Sequence, residues 1–295
     1  MQRKVFFETM DGLGDVLMLV PSLKVWNKRG YLVEVSSRFP EVFENLDYIH
    51  AAFRFGFRPK NLSQYAEYYN LSYRLSNYHE SWCRQHRLLA TAYLCDVKPE
   101  ELEDTRPEII LADYEVSWAK QVLPEPEKKV AIALTSADET REFFREKRQE
   151  LISEIKQVCP DCLLVLVGDK ERDGKYQMQQ SCPWKKIIYK DCLDIRGKTG
   201  IRDMFAVIAR CDACVTIDTS ILHVAAAFKK PTVFLPSSIQ AEWRIYEGMR
   251  SVPPPVACYP CNQTNESCFN KTQAGWCLGR IEVEKISEQL KALGV

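Results

Sequence analysis

No apolar run in the chain approaches the roughly 18 residues needed to cross a bilayer. Its opening, Met1-Gln2-Arg3-Lys4-Val5-Phe6-Phe7-Glu8, also lacks the apolar stretch of a signal peptide. The protein is therefore expected in the cytoplasm, at most peripheral to the inner face of the membrane. Net charge is absent too, because forty basic residues balance forty acidic ones. No global field steers such a chain onto nucleic acid or an anionic surface, although a local basic face stays open. Internal repeats and low-complexity segments are missing. Asn-x-Ser/Thr sequences begin at Asn61, Asn70, Asn262, Asn265 and Asn270, and without a secretion route they read as chance occurrences.

What is present is the composition of an ordinary globular protein, 46% apolar and 27% charged over 295 residues. That length suits two domains of similar size facing each other across a cleft. A strand at Lys4 to Phe7, a glycine-containing loop, a helix from Val16 to about Asn27 and a strand at Tyr31 to Val35 open a parallel α/β sheet. A helix over Trp82 to Leu94, a strand at Ile109 to Leu111 and a helix at Val116 to Leu123 follow. Pro124-Glu125-Pro126-Glu127 reads as a linker, so the domains are expected at 1–125 and 126–295. Beyond it, strands at Val130 to Leu134, Leu163 to Val167, Lys186 to Tyr189, Cys214 to Ile217 and Thr232 to Leu235 alternate with helices. That is the pattern of a second, doubly wound domain, whose ligands belong outside the carboxyl ends of the strands.

The residues that follow those strand ends carry the candidate chemistry. In Gly12-Leu13-Gly14-Asp15 the glycines permit a tight turn, but the third position of G-x-G-x-x-G is Leu17, which disfavours a dinucleotide. Asp15 is either an N-cap or a general base facing the cleft. Asp218-Thr219-Ser220-Ile221-Leu222-His223 opens an alanine-rich helix, where first-turn amides and hydroxyls suit a diphosphate. The plainer alternative makes Asp218 an N-cap and His223 a hydrogen-bonded core residue. Lys198 could meet a phosphate or lie in a solvated turn, and Arg141, always charged, is the better placed cation. Aromatic and basic residues from Phe53 to Arg87, Arg54 and Arg58 among them, either bind sugar rings or bases or fill a core.

Twelve cysteines in a reducing compartment should be free thiols or metal ligands. One group, Cys258-x2-Cys261-x6-Cys268-x8-Cys277, has ligand spacing. Four thiolates could clamp zinc or iron in a closed, structural shell.

Together these pieces resemble the ADP-heptose:lipopolysaccharide heptosyltransferases. Gly14-Asp15-Val16-Leu17 with Pro21-Ser22-Leu23 is similar to that family's G-D-V-L...P-A-L, and Asp218-Thr219-Ser220-Ile221-Leu222-His223 with Lys230-Pro231 to its D-[ST]-G-x-x-H...K-P signature. The stretch Gly197-Lys198-Thr199 and the late cysteine loop also have relatives there. The resemblance implies a GT-B fold, two Rossmann-like domains across a cleft, and inverting transfer from a nucleotide sugar, ADP-heptose foremost, to a glycolipid. A protein or modified nucleic-acid base is the alternative acceptor, and a nucleotide-sugar-binding protein without transfer the alternative class. It further implies Asp15 as base, Asp218 on the donor sugar, Thr219, Ser220 and His223 around the diphosphate, and Ser136 and Arg141 gripping donor phosphates. From the residues themselves, Lys198 is a further donor-side candidate, and Gly12, Gly14, Arg54 and Arg58 are acceptor-side candidates. The absence of D-x-D agrees with catalysis that needs no divalent ion. Ser220 stands where the family has Gly, Arg141 where it has lysine, and Leu134-Thr135-Ser136-Ala137 replaces an N-P-G-A type turn.

Overall fold

The computed structural model describes residues 2–57, 59–74, 85–123, 128–136, 141–169, 188–262 and 276–295. Two sheets organise it. Strands β1 (Lys4–Thr9), β2 (Leu32–Ser37), β3 (Ile49–Arg54) and β4 (Glu67–Asn70) lie in the order β3-β2-β1-β4. Strands β5 (Lys129–Ala133), β6 (Leu163–Leu166), β7 (Leu193–Asp194), β8 (Ala213–Ile217), β9 (Thr232–Leu235) and β10 (Met249–Ser251) lie in the order β10-β9-β8-β5-β6-β7. Every pairing among the described residues is parallel, so crossovers must return the chain each time. The helices are α1 (Leu13–Lys28), α2 (Arg87–Leu94), α3 (Asp113–Val122), α4 (Arg148–Val158), α5 (Ile201–Arg210), α6 (Ser220–Ala227) and α7 (Val283–Ala292).

Each sheet reverses its strand order once. In the first the reversal falls between β1 and β4, in the second between β5 and β8. Crevices open at the carboxyl ends of such neighbours, because the connections leave in opposite directions. The β1–α1 turn and the β8–α6 turn, the two places singled out by sequence, therefore both stand at a switch point.

Helix α1 is buried along almost its whole length, from Val16 through Leu23 and again at Val25 and Trp26. A helix apolar on every side needs partners on every side. It finds the first sheet through Phe7, Val33 and Val35, and α6 of the second half on the other flank. The cluster that results is continuous: it runs from the first sheet through α1 to Phe205, Ile208, Val224 and Ala225, and on to Ala131 and Val165 beneath them. A second cluster fills the far face of the second sheet, where α4 and α7 pack.

Several expectations need correction. Ile109 to Leu111 forms no strand; its extended backbone gives the Ile110 carbonyl to Arg202 (2.6 Å) and Asn45 (3.1 Å). Side chains have taken what a neighbouring strand would use. Strands β3 and β4 were not foreseen, and β7 lies at Leu193–Asp194, past the expected Lys186 to Tyr189, whose first two residues fall outside the described ones. The tail of the expected Trp82 helix is α2, while residues 82–84 and the 124–127 linker also lie outside. The aromatic stretch is part packed and part exposed: Tyr69 stacks on Phe7 (5.0 Å between centroids) and Tyr65 leans on Phe6 (5.3 Å), whereas Phe57, Tyr68 and Tyr73 face solvent.

Candidate functional site

Asp15 is the third residue of α1, not its cap; Gly12 holds that place with extended dihedrals (φ −67°, ψ 162°). Neither Gly12 nor Gly14 adopts a left-handed conformation, so the tight-turn reading of these glycines does not hold. Close approach explains Gly14 instead. A Cβ there would lie 3.0 Å from Cδ2 of His223 and 3.6 Å from Cα of Ser220. The N-termini of α1 and α6, from opposite halves of the molecule, thus meet at Gly14.

Across this seam the charged groups converge. Asp15 Oδ1 takes an ion pair from Arg87, the first residue of α2, at 2.8 Å, with side chains only 12% (Arg87) and 16% (Asp15) exposed. Asp218, almost fully buried, is not an N-cap either, since Thr219 caps α6. Its Oδ1 lies 3.3 Å from Nε of the buried Arg244, and its Oδ2 lies 3.4 Å from Arg141. That second oxygen accepts no hydrogen bond among the described residues. Buried carboxylates are held ionised only where cations or donors compensate for lost water.

The two aspartates respond differently. Burial raises the Asp15 carboxyl above its ordinary pKa and Asp11 pushes the same way, against the opposing pull of Arg87, Arg244 and Arg141. For Asp218 burial also works against charge, but Arg244 and Arg141, with His223 and Arg87 behind them, hold its carboxyl below the ordinary range. One arginine set therefore acts on both aspartates. Asp11 itself is buried just after β1, where it accepts from Thr9 Oγ1 (2.9 Å) and from the Tyr73 amide (3.1 Å).

His223 sits beneath the cluster. Its Nδ1 shares a 2.6 Å hydrogen bond with Tyr246 Oη, and burial together with Arg244 lowers its pKa to about 3, so the ring is neutral at physiological pH. His86, the N-cap of α2, packs edge-on against the same Tyr246 ring at 4.8 Å. Thr219 Oγ1 lies 3.3 Å from Thr216 Oγ1, and Ser220 begins α6, whose first-turn amides face the end of the helix. The Ser136 amide donates to Glu142 (3.3 Å), which is gripped in turn by the buried Arg148 (3.0 Å).

Other candidates stand apart. Lys198 donates to the Asp194 carbonyl of its own loop (2.6 Å), and Arg54, 67% exposed, is paired with Glu41 at 2.5 Å. Neither contacts the two aspartates. Arg58 and Cys268 lie outside the described residues. Of the remaining cysteines, Cys258 is exposed, Cys261 is half-buried, and Cys277 directs its thiol at the Ser237 carbonyl (3.8 Å). Among the described residues no three Cys, His, Asp or Glu side chains gather as a metal shell requires. Sequence reasoning missed Arg244, Tyr246, His86 and Asp11, and it saw Arg87 only as one of several basic residues. Asp11 alone had a signal, its place two residues beyond a strand at a switch point.

The fold has relatives among known proteins. The solved structures that resemble the chain include an ADP-heptose lipopolysaccharide heptosyltransferase II of E. coli (TM-score 0.70, 15% identity, 98% of each chain covered). They also include a family 9 glycosyl transferase of Veillonella parvula (0.71, 14%, 99% of this chain and 98% of that one). A third is the dodecameric iron-containing heptosyltransferase TibC of enterotoxigenic E. coli, in complex with ADP-D-β-D-heptose (0.72, 14%, 99% of this chain and 77% of that one). These likenesses show the fold, the two-domain GT-B arrangement. No curated protein matches the sequence. A profile of the family described as "Glycosyltransferase family 9 (heptosyltransferase)" matches residues 46–243, two thirds of the length, and the chain therefore belongs to that family.

Proposed function

We propose that the protein transfers a sugar from a nucleoside-diphosphate donor to an acceptor hydroxyl with inversion, its two halves (1–125 and 126–295) carrying the acceptor and donor sides. One observation supports this above all: Asp15 and Asp218 reach the same arginine cluster from opposite halves. A carboxylate whose proton affinity is raised by burial suits a general base. In the proposed step the acceptor oxygen attacks the anomeric carbon as the bond from that carbon to the diphosphate breaks. The acceptor proton goes to Asp15, and the bonding electrons leave with the diphosphate. Arg141 and the N-terminus of α6 neutralise the charge that develops there, with Ser136, Thr219 and Ser220 in reach of the phosphates. Oδ2 of Asp218 is the atom available to a donor hydroxyl. His223 serves from below, by fixing the α1–α6 seam.

An ADP-sugar, heptose foremost, is the donor we favour, since TibC is described in complex with ADP-D-β-D-heptose and the E. coli enzyme as an ADP-heptose transferase. A glycolipid acceptor follows from the same resemblance. The test is a panel of nucleotide sugars, ADP-D-β-D-heptose and UDP-glucose among them, read by mass spectrometry for released nucleoside diphosphate. ADP release that Asp15→Asn abolishes is expected. Release from no donor overturns the enzyme reading in favour of a binding protein.

The cysteine loop we assign to structure. Four thiols suit tetrahedral zinc or iron, and both described ends of the loop fasten to one turn: the Asn262 amide donates to Ser238 (2.8 Å) and Cys277 to Ser237 (3.8 Å). Metal analysis of purified protein should find one zinc or iron per chain, lost in Cys258→Ser. Metal-free protein of full stability overturns the assignment.

A further inference from the structure

We propose that Arg87 is a positioning residue: it holds one oxygen of Asp15 so that the other takes the acceptor proton, and the start of its helix is itself held by edge-on ring contacts from the opposite half. The proposal rests on the reading of Asp15 as the base. A free aspartate carboxyl turns easily about its last torsion, whose preference is broad and two-fold. A short charge-assisted bond removes that freedom, and the 2.8 Å contact between Arg87 Nη2 and Oδ1 is such a bond. Oδ2 is then presented beside Gly12, where a Cβ would come within 3.4 Å of it. The bare glycine leaves that oxygen approachable.

Arg87 does not stand on its own helix alone. His86 caps α2, its Nδ1 accepting from the Leu88 amide at 3.2 Å, and its ring meets Tyr246. Tyr246 in turn bonds His223. The chain His86–Tyr246–His223 therefore pins the start of α2 to the second half, and Leu88 reinforces it by packing with Met18, Ala226 and Tyr246. The base is aimed from one half and locked by the other.

Every charged group around Asp15 bears on the test. Arg87 faces it from α2, Asp11 from the β1–α1 turn, Arg244 from beyond the 3₁₀ turn Ala241–Trp243, and Arg141 from the connection after β5, while His223 of α6 lies against Gly14. Arg87 is the strongest of the cations that favour ionised Asp15. Removing it should let Asp15 hold its proton to higher pH.

The experiment compares wild type, Arg87→Met, Arg87→Lys and Asp15→Asn. Two quantities are read: the ¹³Cγ titration of Asp15, identified by its loss in Asp15→Asn, and the pH profile of ADP release from ADP-D-β-D-heptose. In Arg87→Met the titration midpoint and the acid limb of the rate should both move up. Its kcat should fall about a hundredfold, as misplacement of a reacting group does, while KM for the nucleotide sugar changes little. Arg87→Lys should restore the midpoint but only part of kcat, because an ammonium fixes the carboxylate at one point and less rigidly. If Arg87→Met does not fold, Arg87→Lys decides by that split between midpoint and rate. A folded variant whose midpoint stays in place overturns the proposal, and because the titration needs no substrate it decides even for an inactive preparation. Full activity in Asp15→Asn removes the base reading itself. Lost activity there, with an unmoved midpoint in Arg87→Met, removes only the role of Arg87.

Discussion

Asp15, in the first turn of α1, and Asp218, between β8 and the cap of α6, face the same arginines from the two halves, yet their proton affinities move in opposite directions. Burial is common to both. What differs is the neighbourhood: Asp218 has a guanidinium on each oxygen, whereas Asp15 has one on a single oxygen and a second carboxylate, Asp11, close by. The same side chain is thus held as an anion in one half and raised in proton affinity in the other, and the count of facing charges decides which.

The largest effect that would sharpen this contrast is on rate. Asp15→Asn should lower turnover by about 10²- to 10⁴-fold, the usual contribution of a general base, measured as nucleotide release. Its stability should change the other way. A carboxyl with a raised folded-state pKa makes the native state less stable as pH rises through the window above its ordinary value, so removing the charge should raise the melting temperature at neutral pH. A lowered melting temperature would break the comparison.

Asp218→Asn should act on stability first. It removes the carboxylate that faces the buried Arg244 and its neighbour Arg141, a loss of about 3 to 5 kcal/mol, read by urea unfolding at pH 7. The sign with pH is fixed by the lowered carboxyl: its stabilisation is complete above the unfolded-state pKa and disappears as pH falls through the folded one. Wild type should therefore lose stability in acid faster than Asp218→Asn. Equal acid sensitivity would show that the arginines do not hold that charge.

Smaller changes probe the seam between the halves. Gly14→Ala places a methyl 3.0 Å from a buried histidine ring and should destabilise by about 1 to 3 kcal/mol. Tyr246→Phe, which deletes the hydroxyl on His223, should cost about 0.5 to 1.5 kcal/mol. If either variant melts like wild type, the two helix ends are not in the contact described.

Sequence pattern revealed what local chemistry governs. The apolar strand before Asp218 and the alanine helix after it announce a strand-to-helix turn, and the alternation beyond residue 129 shows where the ligand side of the sheet must be. Strands β3 and β4 hid because they lie at the sheet's edges, where their exposed positions carry residues such as His50, Arg54 and Glu67 that leave no apolar run. The isoleucine pair near 110 misled for the opposite reason, its apolar side chains suggesting a strand while the Ile110 carbonyl served both Arg202 and Asn45. Arg87 and Arg244 were beyond reach altogether. Their partners lie 72 and 26 positions away in the chain, and an ion pair between distant segments leaves no periodic trace.

The uninterrupted core through α1 bears on how such enzymes can be recombined. A helix enclosed by its own sheet on one flank and by a foreign helix on the other has no surface of its own to spare. Cutting the chain at the linker would expose that flank to water, and grafting the second half of a relative onto it would set an unmatched set of side chains against Gly14 and Met18. Chimaeras built from this scaffold must carry α1 and α6 as a single cassette if they are to exchange substrates and still fold.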